Sequence, residues 1–153
     1  MKRQNNIILW GQVASGKTSI GRALAYILGW GFLDTDECIE RKSKSSITEI
    51  FRAQGESCFR RLESEVISEL PRCLNHVIAV GAGALEEQSN FSVLENLGFT
   101  VWVNTSLPVI ATRLSRSDEE LSKRPKFANK EGYPKEMRLR ADKILSELEG
   151  IFR

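Results

Sequence analysis

Long apolar runs are missing from this sequence, histidine is almost absent, cysteine is scarce, and neither sign of charge prevails. No uninterrupted apolar stretch approaches the ~20 residues needed to cross a bilayer as a helix. The basic start is followed only by Ile7, Ile8, Leu9 and Trp10 before Gly11, too short an apolar core for a secretory leader, so none is expected. Cys38, Cys58 and Cys73 are odd in number and widely spaced, without the close pairing of a zinc or redox motif. They read as reduced, mostly buried thiols of a cytoplasmic protein. The lone histidine, His76, reads as structural or exposed, because histidine ligands and bases come with partners. Lys plus Arg number 22 against 20 Asp plus Glu, a formal +2 that points to neither a nucleic-acid nor a membrane partner.

What is present suits one compact domain over residues 1–153, with 41% apolar and 27% charged residues and no repeat or low-complexity tract. Ile7 to Trp10 reads as a buried strand running into a glycine. From Lys17 to Leu28, the residues Ile20, Ala23, Leu24, Ile27 and Leu28 recur at helical spacing, and Gly29 and Gly31 end the helix. Phe32-Leu33 forms a second short strand. Ile39, Ile47, Ile50 and Phe51 fall on short helices, and Phe59, Leu62, Val66 and Leu70 on a longer one ended by Pro71. Val77 to Val80 and Val101 to Val103 are two further strands, with a helix between them over Phe91 to Leu97 and another beginning at Pro108. Strands alternating with helices predict an α/β domain with a parallel sheet, whose sites lie at the carboxyl ends of the strands.

The first strand end carries Gly11-Gln12-Val13-Ala14-Ser15-Gly16-Lys17-Thr18, a full match to the phosphate-loop pattern in its required strand–loop–helix setting. Glycines let the backbone wrap so that consecutive N–H groups face phosphate oxygens, and the next helix adds the positive end of its dipole. Lys17 would reach the outer phosphates, and the Thr18 hydroxyl would ligate magnesium. After the second strand come Asp34 and Asp36, spaced two apart and expected to face one cleft. One would hold hydrated magnesium, the other would orient or deprotonate an attacking hydroxyl. Asp36 has a second reading, as the cap of the helix that carries Cys38 and Ile39.

On the longer helix, Arg60 borders the buried stripe with Glu56 four residues before it and Glu63 three after, all on one side. Two readings stand: a guanidinium held for bidentate binding of a substrate carboxylate, or an ion-pair ladder at the surface. Arg61 points elsewhere, toward solvent. Gly81, Ala82 and Gly83 follow the third strand with small residues only, either for close approach of a ligand or simply for a tight turn.

Taken in order, these runs resemble the shikimate kinase family: the phosphate loop, Phe32-Leu33-Asp34-Thr35-Asp36-Glu37 with Ile39-Glu40, Ile47 with Ile50-Phe51, Gly55-Glu56 with Phe59-Arg60 and Glu63, Gly81-Ala82-Gly83, and Arg124-Pro125. The likeness spans residues 7 to about 125. It implies a three-layer α/β/α P-loop fold with a five-stranded parallel sheet in the order 2-3-1-4-5 and a short lid near residues 115–130. It further implies a monomeric, cytoplasmic enzyme that transfers the γ-phosphate of ATP to the 3-hydroxyl of shikimate with Mg²⁺. On that resemblance Gly11, Ala14, Ser15, Gly16, Lys17, Thr18 and Ser19 bind the nucleotide, with Arg113 bordering adenine and Arg124 closing over the phosphates. Thr18 and Asp34 serve the metal. Asp36, Arg60, Gly81, Ala82 and Gly83 bind the acceptor, and Lys17, Asp36 and Arg124 are the catalytic set.

Three departures stand out. Ala82 replaces the middle glycine of the family's turn, and Lys126-Phe127 replaces the leucines after the lid's Arg-Pro. Tyr133 occupies the place of a second carboxylate-binding arginine, eight residues before Ala141-Asp142 in a shortened segment. Arg138 or Arg140 are the available substitutes. Two alternatives to shikimate phosphorylation follow: a kinase for another small hydroxy acid, or a nucleotide-binding protein that no longer turns over.

Overall fold

The computed structural model describes residues 5–116. The expected lid and fifth strand, and with them Arg124, Tyr133, Arg138 and Arg140, lie outside these residues. Four parallel strands, β1 (Ile7–Trp10), β2 (Gly31–Asp34), β3 (His76–Ala79) and β4 (Phe99–Trp102), pair in the order β2-β3-β1-β4. This is the expected order as far as it can be followed. Helix α1 (Lys17–Leu28) covers one face, while α3 (Ile47–Glu69) and α4 (Gln88–Leu97) cover the other. Helix α2 (Thr35–Ser43) joins β2 to α3, and α5 (Leu107–Arg116) follows β4. Among the described residues no helix is long and apolar enough to cross a membrane.

Alternation along β1 builds the two sides of the core. Ile8 and Trp10 point toward Ile67, Leu70, Leu94 and Leu97, whereas Leu9 points with Val77 toward Ala25 of α1. A separate apolar cluster of Ile39, Ile50, Phe59, Leu62 and Val66 binds α2 to α3. Trp10 and Trp102, level across β1 and β4, stack with ring centroids 5.6 Å apart.

Two local expectations are corrected and one is met. The periodic residues of α1 do not form its buried stripe: Ile20, Ala23, Ile27 and Leu28 are exposed, Leu24 is half-buried, and Gly21 and Ala25 face inward. The reason is space, since a Cβ at position 21 would stand 2.4 Å from the Phe32 ring, so the helix turns its smallest residues to the sheet. The short helix expected around Ile47 and Phe51 is present: Gly55, at φ 80° and ψ 179°, is non-helical and separates it from the longer helix, so α3 is two helices joined at a kink. The carboxylates of Asp34 and Asp36 are not gathered by strand alternation, because the chain enters α2 at Thr35, and it is Asp34 that caps this helix by accepting from the Asp36 N–H at 2.9 Å.

Candidate active site

The carboxyl ends of β1, β2 and β3 open on a cleft of about 770 Å³ lined by Ala14 to Thr18 of the phosphate loop, Asp34, Asp36, Gly81, Ala82 and Arg113, with Gly11 buried behind it. Sequence reasoning anticipated every one of these. The cleft also takes in Glu37, Glu40 and Ile47, which it had not singled out for a site. Glu37 pairs with Arg22 at 2.6 Å, and Glu40 accepts from the Ile47 N–H at 3.0 Å, so both are engaged in holding α2 against its neighbours.

Within the loop, Ala14 (φ 56°) and Gly16 (φ 98°) adopt left-handed backbone between residues of ordinary hand, a sequence of dihedrals that turns successive amides inward. Gly16 is also the N-cap of α1; it supplies no side chain, and the first turn holds no acid. The helix start therefore keeps its N–H donors and positive end for an anion. The Lys17 ammonium lies back along the loop, donating to the Gly11 and Gln12 carbonyls at 2.9 and 2.8 Å. Arg113 reaches over from α5 and donates to the Ala14 carbonyl at 2.9 Å, while Thr105 donates to the Ser15 carbonyl at 3.0 Å. These two bonds tie the loop to the chain beyond β4. Ser19 is exposed at the cleft margin.

The Thr18 hydroxyl donates to Asp34 Oδ2 at 2.7 Å, and the other Asp34 oxygen caps α2. A hydroxyl and a carboxylate in contact beside a phosphate-binding loop are hard oxygen donors. They suit Mg²⁺, which takes one or two protein ligands and fills its octahedron with water and phosphate. The residues present fit that ion.

Next to this stands the Arg60 cluster of α3. Glu63 is 1% exposed and receives Arg60 Nη1 at 2.8 Å; Arg60 Nη2 lies 3.4 Å from Glu56 Oε1. Burial alone would push the guanidinium down, but the Glu63 charge and hydrogen bond, with Glu86 and Glu56 behind them, outweigh it and hold the Arg60 pKa above its ordinary value. The surface-ladder reading thus fails for Glu63, while Arg61 is largely exposed and paired with Glu65, as its place on the helix implies. Arg60 does not line the cleft itself. It reaches the site through Glu63, whose Oε1 would come within 2.8 Å of a Cβ at Gly81; that same Cβ would be 3.2 Å from Asp36 Oδ1. Gly81 is accordingly approached closely by the protein's own side chains, while Gly83, buried at the start of a 3-10 turn, does not line the cleft. The Gly81 N–H is committed to Thr35 Oγ1 at 3.0 Å, a partnership that escaped the sequence reading because it joins residues 46 apart.

The cysteines are free and half-buried. His76 begins β3 with its Nδ1 2.8 Å from the Leu74 carbonyl, well away from the cleft residues.

Known proteins share this arrangement. The family model for shikimate kinase matches residues 13–150. A shikimate kinase of Rippkaea orientalis is 43% identical over 71% of this chain and 58% of its own length, and one from Trichormus variabilis is 39% identical over 72% and 60%. These two alignments span less than two thirds of each relative. A third, from Caldanaerobacter subterraneus subsp. tengcongensis, is 34% identical over 97% of this chain and 81% of the relative. Among solved structures, a shikimate kinase from Acinetobacter baumannii in complex with shikimate superposes with a TM-score of 0.71 at 28% identity, covering 98% of this chain and 96% of that one. The Bacteroides thetaiotaomicron shikimate kinase gives 0.75 at 32% identity, covering 96% and 79%. A family match running over most of the length leads to one conclusion: this chain belongs to the shikimate kinase family.

Proposed function

We propose that the protein transfers the γ-phosphate of ATP to the 3-hydroxyl of shikimate, releasing ADP and shikimate 3-phosphate on the way to chorismate. The observation that carries this reading is the single cleft in which an uncapped, amide-lined phosphate loop faces Asp34, Asp36 and the Gly81 turn. The superposition on a shikimate-bound relative supports the choice of acceptor.

In this mechanism the amides of Ala14, Ser15 and Gly16, with Gly11 at the loop's start, cradle the β- and γ-phosphates, and Thr18 and Ser19 open the helix behind them. Lys17 leaves its two carbonyl partners to bind the outer phosphate oxygens. Thr18 and Asp34 would hold Mg²⁺, Asp34 through water; when bound, the ion neutralises charge on the phosphate oxygens. Asp36 orients the acceptor hydroxyl and takes its proton as the new O–P bond forms and the bond to the leaving ADP oxygen breaks. Arg60, fixed by Glu63, binds the acceptor carboxylate, and Gly81, Ala82 and Gly83 let the ring approach the backbone. Arg113 borders adenine. Arg124, outside the described residues, carries the lid role implied by the resemblance. A monomeric, cytoplasmic enzyme completes the reading.

Ala82 gives the turn a methyl that favours a second reading, a kinase for a related hydroxy acid with a different ring contour. ADP release measured with shikimate and with other polyol acids decides between them. Turnover with shikimate at the highest kcat/KM is expected. Turnover only with another acid would establish the second reading, and tight ATP binding without turnover on any acceptor would refute both.

A further inference from the structure

We infer that Thr35, the residue between the two aspartates, is a positioning residue that sets the spacing between Asp36 and the Gly81 turn, and thereby the shape of the acceptor site. The inference rests on the function proposed above. The observation is an interrupted ladder. Alternate N–H groups of a strand face opposite neighbours. Along the end of β3, the Val80 N–H donates to Leu9 of β1 at 2.9 Å, so the next amide, at Gly81, faces the β2 side. There β2 has already ended: its last pair is Asp34 with Ala79, and Thr35 is the first residue of α2. No strand carbonyl stands opposite the Gly81 N–H, and the Thr35 hydroxyl takes that place at 3.0 Å.

Thr35 is fully buried, at 0% exposure, and Gly81 half-buried, so the bond is shielded from water on the hydroxyl's side. What it holds is the point where the acceptor groups meet. Gly81 packs against Asp36 Oδ1 and against Glu63 Oε1, and Glu63 in turn fixes Arg60. A shift of the Gly81 backbone would therefore change three contacts at once: that of Asp36 with the attacking hydroxyl, that of Arg60 with the carboxylate, and those of the turn with the ring. The phosphate loop is tied to the chain beyond β4 through Thr105 and Arg113, and to α2 through Thr18 and Asp34. The bond that Thr35 accepts from Gly81 involves no phosphate-loop atom, and this makes the inference testable.

Two variants separate positioning from simple stability. Thr35→Val keeps the shape and removes the acceptor oxygen; Thr35→Ser keeps the oxygen and removes a methyl. Thr35→Val is expected to raise the acceptor KM about tenfold or more, the usual effect of orphaning one buried donor, with the KM for MgATP changed less than about twofold. Thr35→Ser should restore the acceptor KM to within about threefold of the parent. Amide hydrogen exchange in the unliganded protein gives a readout independent of turnover: the Gly81 N–H should exchange faster in Thr35→Val, with α1 amides unchanged. An acceptor KM equal to the parent's, or both KM values rising together without rescue by serine, would overturn the inference, as would unchanged exchange at Gly81. If the parent protein fails to phosphorylate shikimate, the function proposed above fails before any variant is made, and Gly81 exchange still decides whether Thr35 holds the turn.

Discussion

Arg60 has a structural partner in Glu63 as well as the acceptor-binding role proposed for it, so the choice of variant matters. Glu63 is buried, so removing its partner strands a charge, which costs on the order of 3–5 kcal/mol in such settings. Arg60→Ala would therefore report mainly on folding. Arg60→Lys keeps a cation for Glu63 and loses the planar fork, and should raise the acceptor KM by about ten- to a hundredfold while leaving the MgATP KM near its parent value; steady-state kinetics with each substrate varied checks this. Lys17→Ala is expected to abolish phosphoryl transfer with the circular dichroism spectrum retained, and normal turnover would refute its phosphate role. The thiols of Cys38 and Cys73 are both pushed up by desolvation. With less thiolate at neutral pH than a free cysteine has, they should react slowly with a disulfide reagent, and their rates should keep rising with pH beyond the range where a free thiol levels off.

At the scale of elements, the junction of α2 and α3 determines how the acceptor half is built. Helix α2 ends on Lys44, a side-chain-bearing residue held at φ 55°. Left-handed backbone costs a non-glycine residue roughly 1–2 kcal/mol, while the added freedom of a glycine in the unfolded chain offsets about 0.4–1 kcal/mol. The first effect wins, and Lys44→Gly should stabilise the protein by about 0.5–1 kcal/mol, raising Tm by roughly 1–4 °C on thermal denaturation. Two residues on, Ser46 and Glu49 form a reciprocal capping box, Ser46 Oγ accepting from the Glu49 N–H at 3.2 Å and Glu49 Oε2 from the Ser46 N–H at 2.9 Å. Ser46→Ala should cost about 1 kcal/mol by chemical denaturation, without a change in nucleotide affinity, since the box lies outside the phosphate loop.

For the whole molecule, the nucleotide half and the acceptor half meet along the carboxyl edge of one sheet, so ligand binding should register as global stability. MgATP at a hundred times its Kd is expected to add about 2.7 kcal/mol, a rise in Tm of roughly 5–10 °C by scanning calorimetry. In Lys17→Ala the rise should shrink markedly. No rise in the parent protein would remove the nucleotide site, and with it the kinase reading.

Much of this was written locally. The phosphate loop and the Glu56, Arg60 and Glu63 face were legible because each depends on spacings of a few residues within one loop or helix, whereas the order of the strands came only with the family resemblance. What the sequence could not decide depends on what stands opposite. The apolar residues of α1 turned outward because Phe32 fills the space beneath Gly21. The cap of α2 fell to Asp34 because the strand ends there, and the Gly81 amide found Thr35 only when β2 and β3 lay side by side. Periodicity states which residues share a face; only packing, through volume and the pairing of buried donors, settles which face is buried and which distant hydroxyl an orphaned N–H will meet.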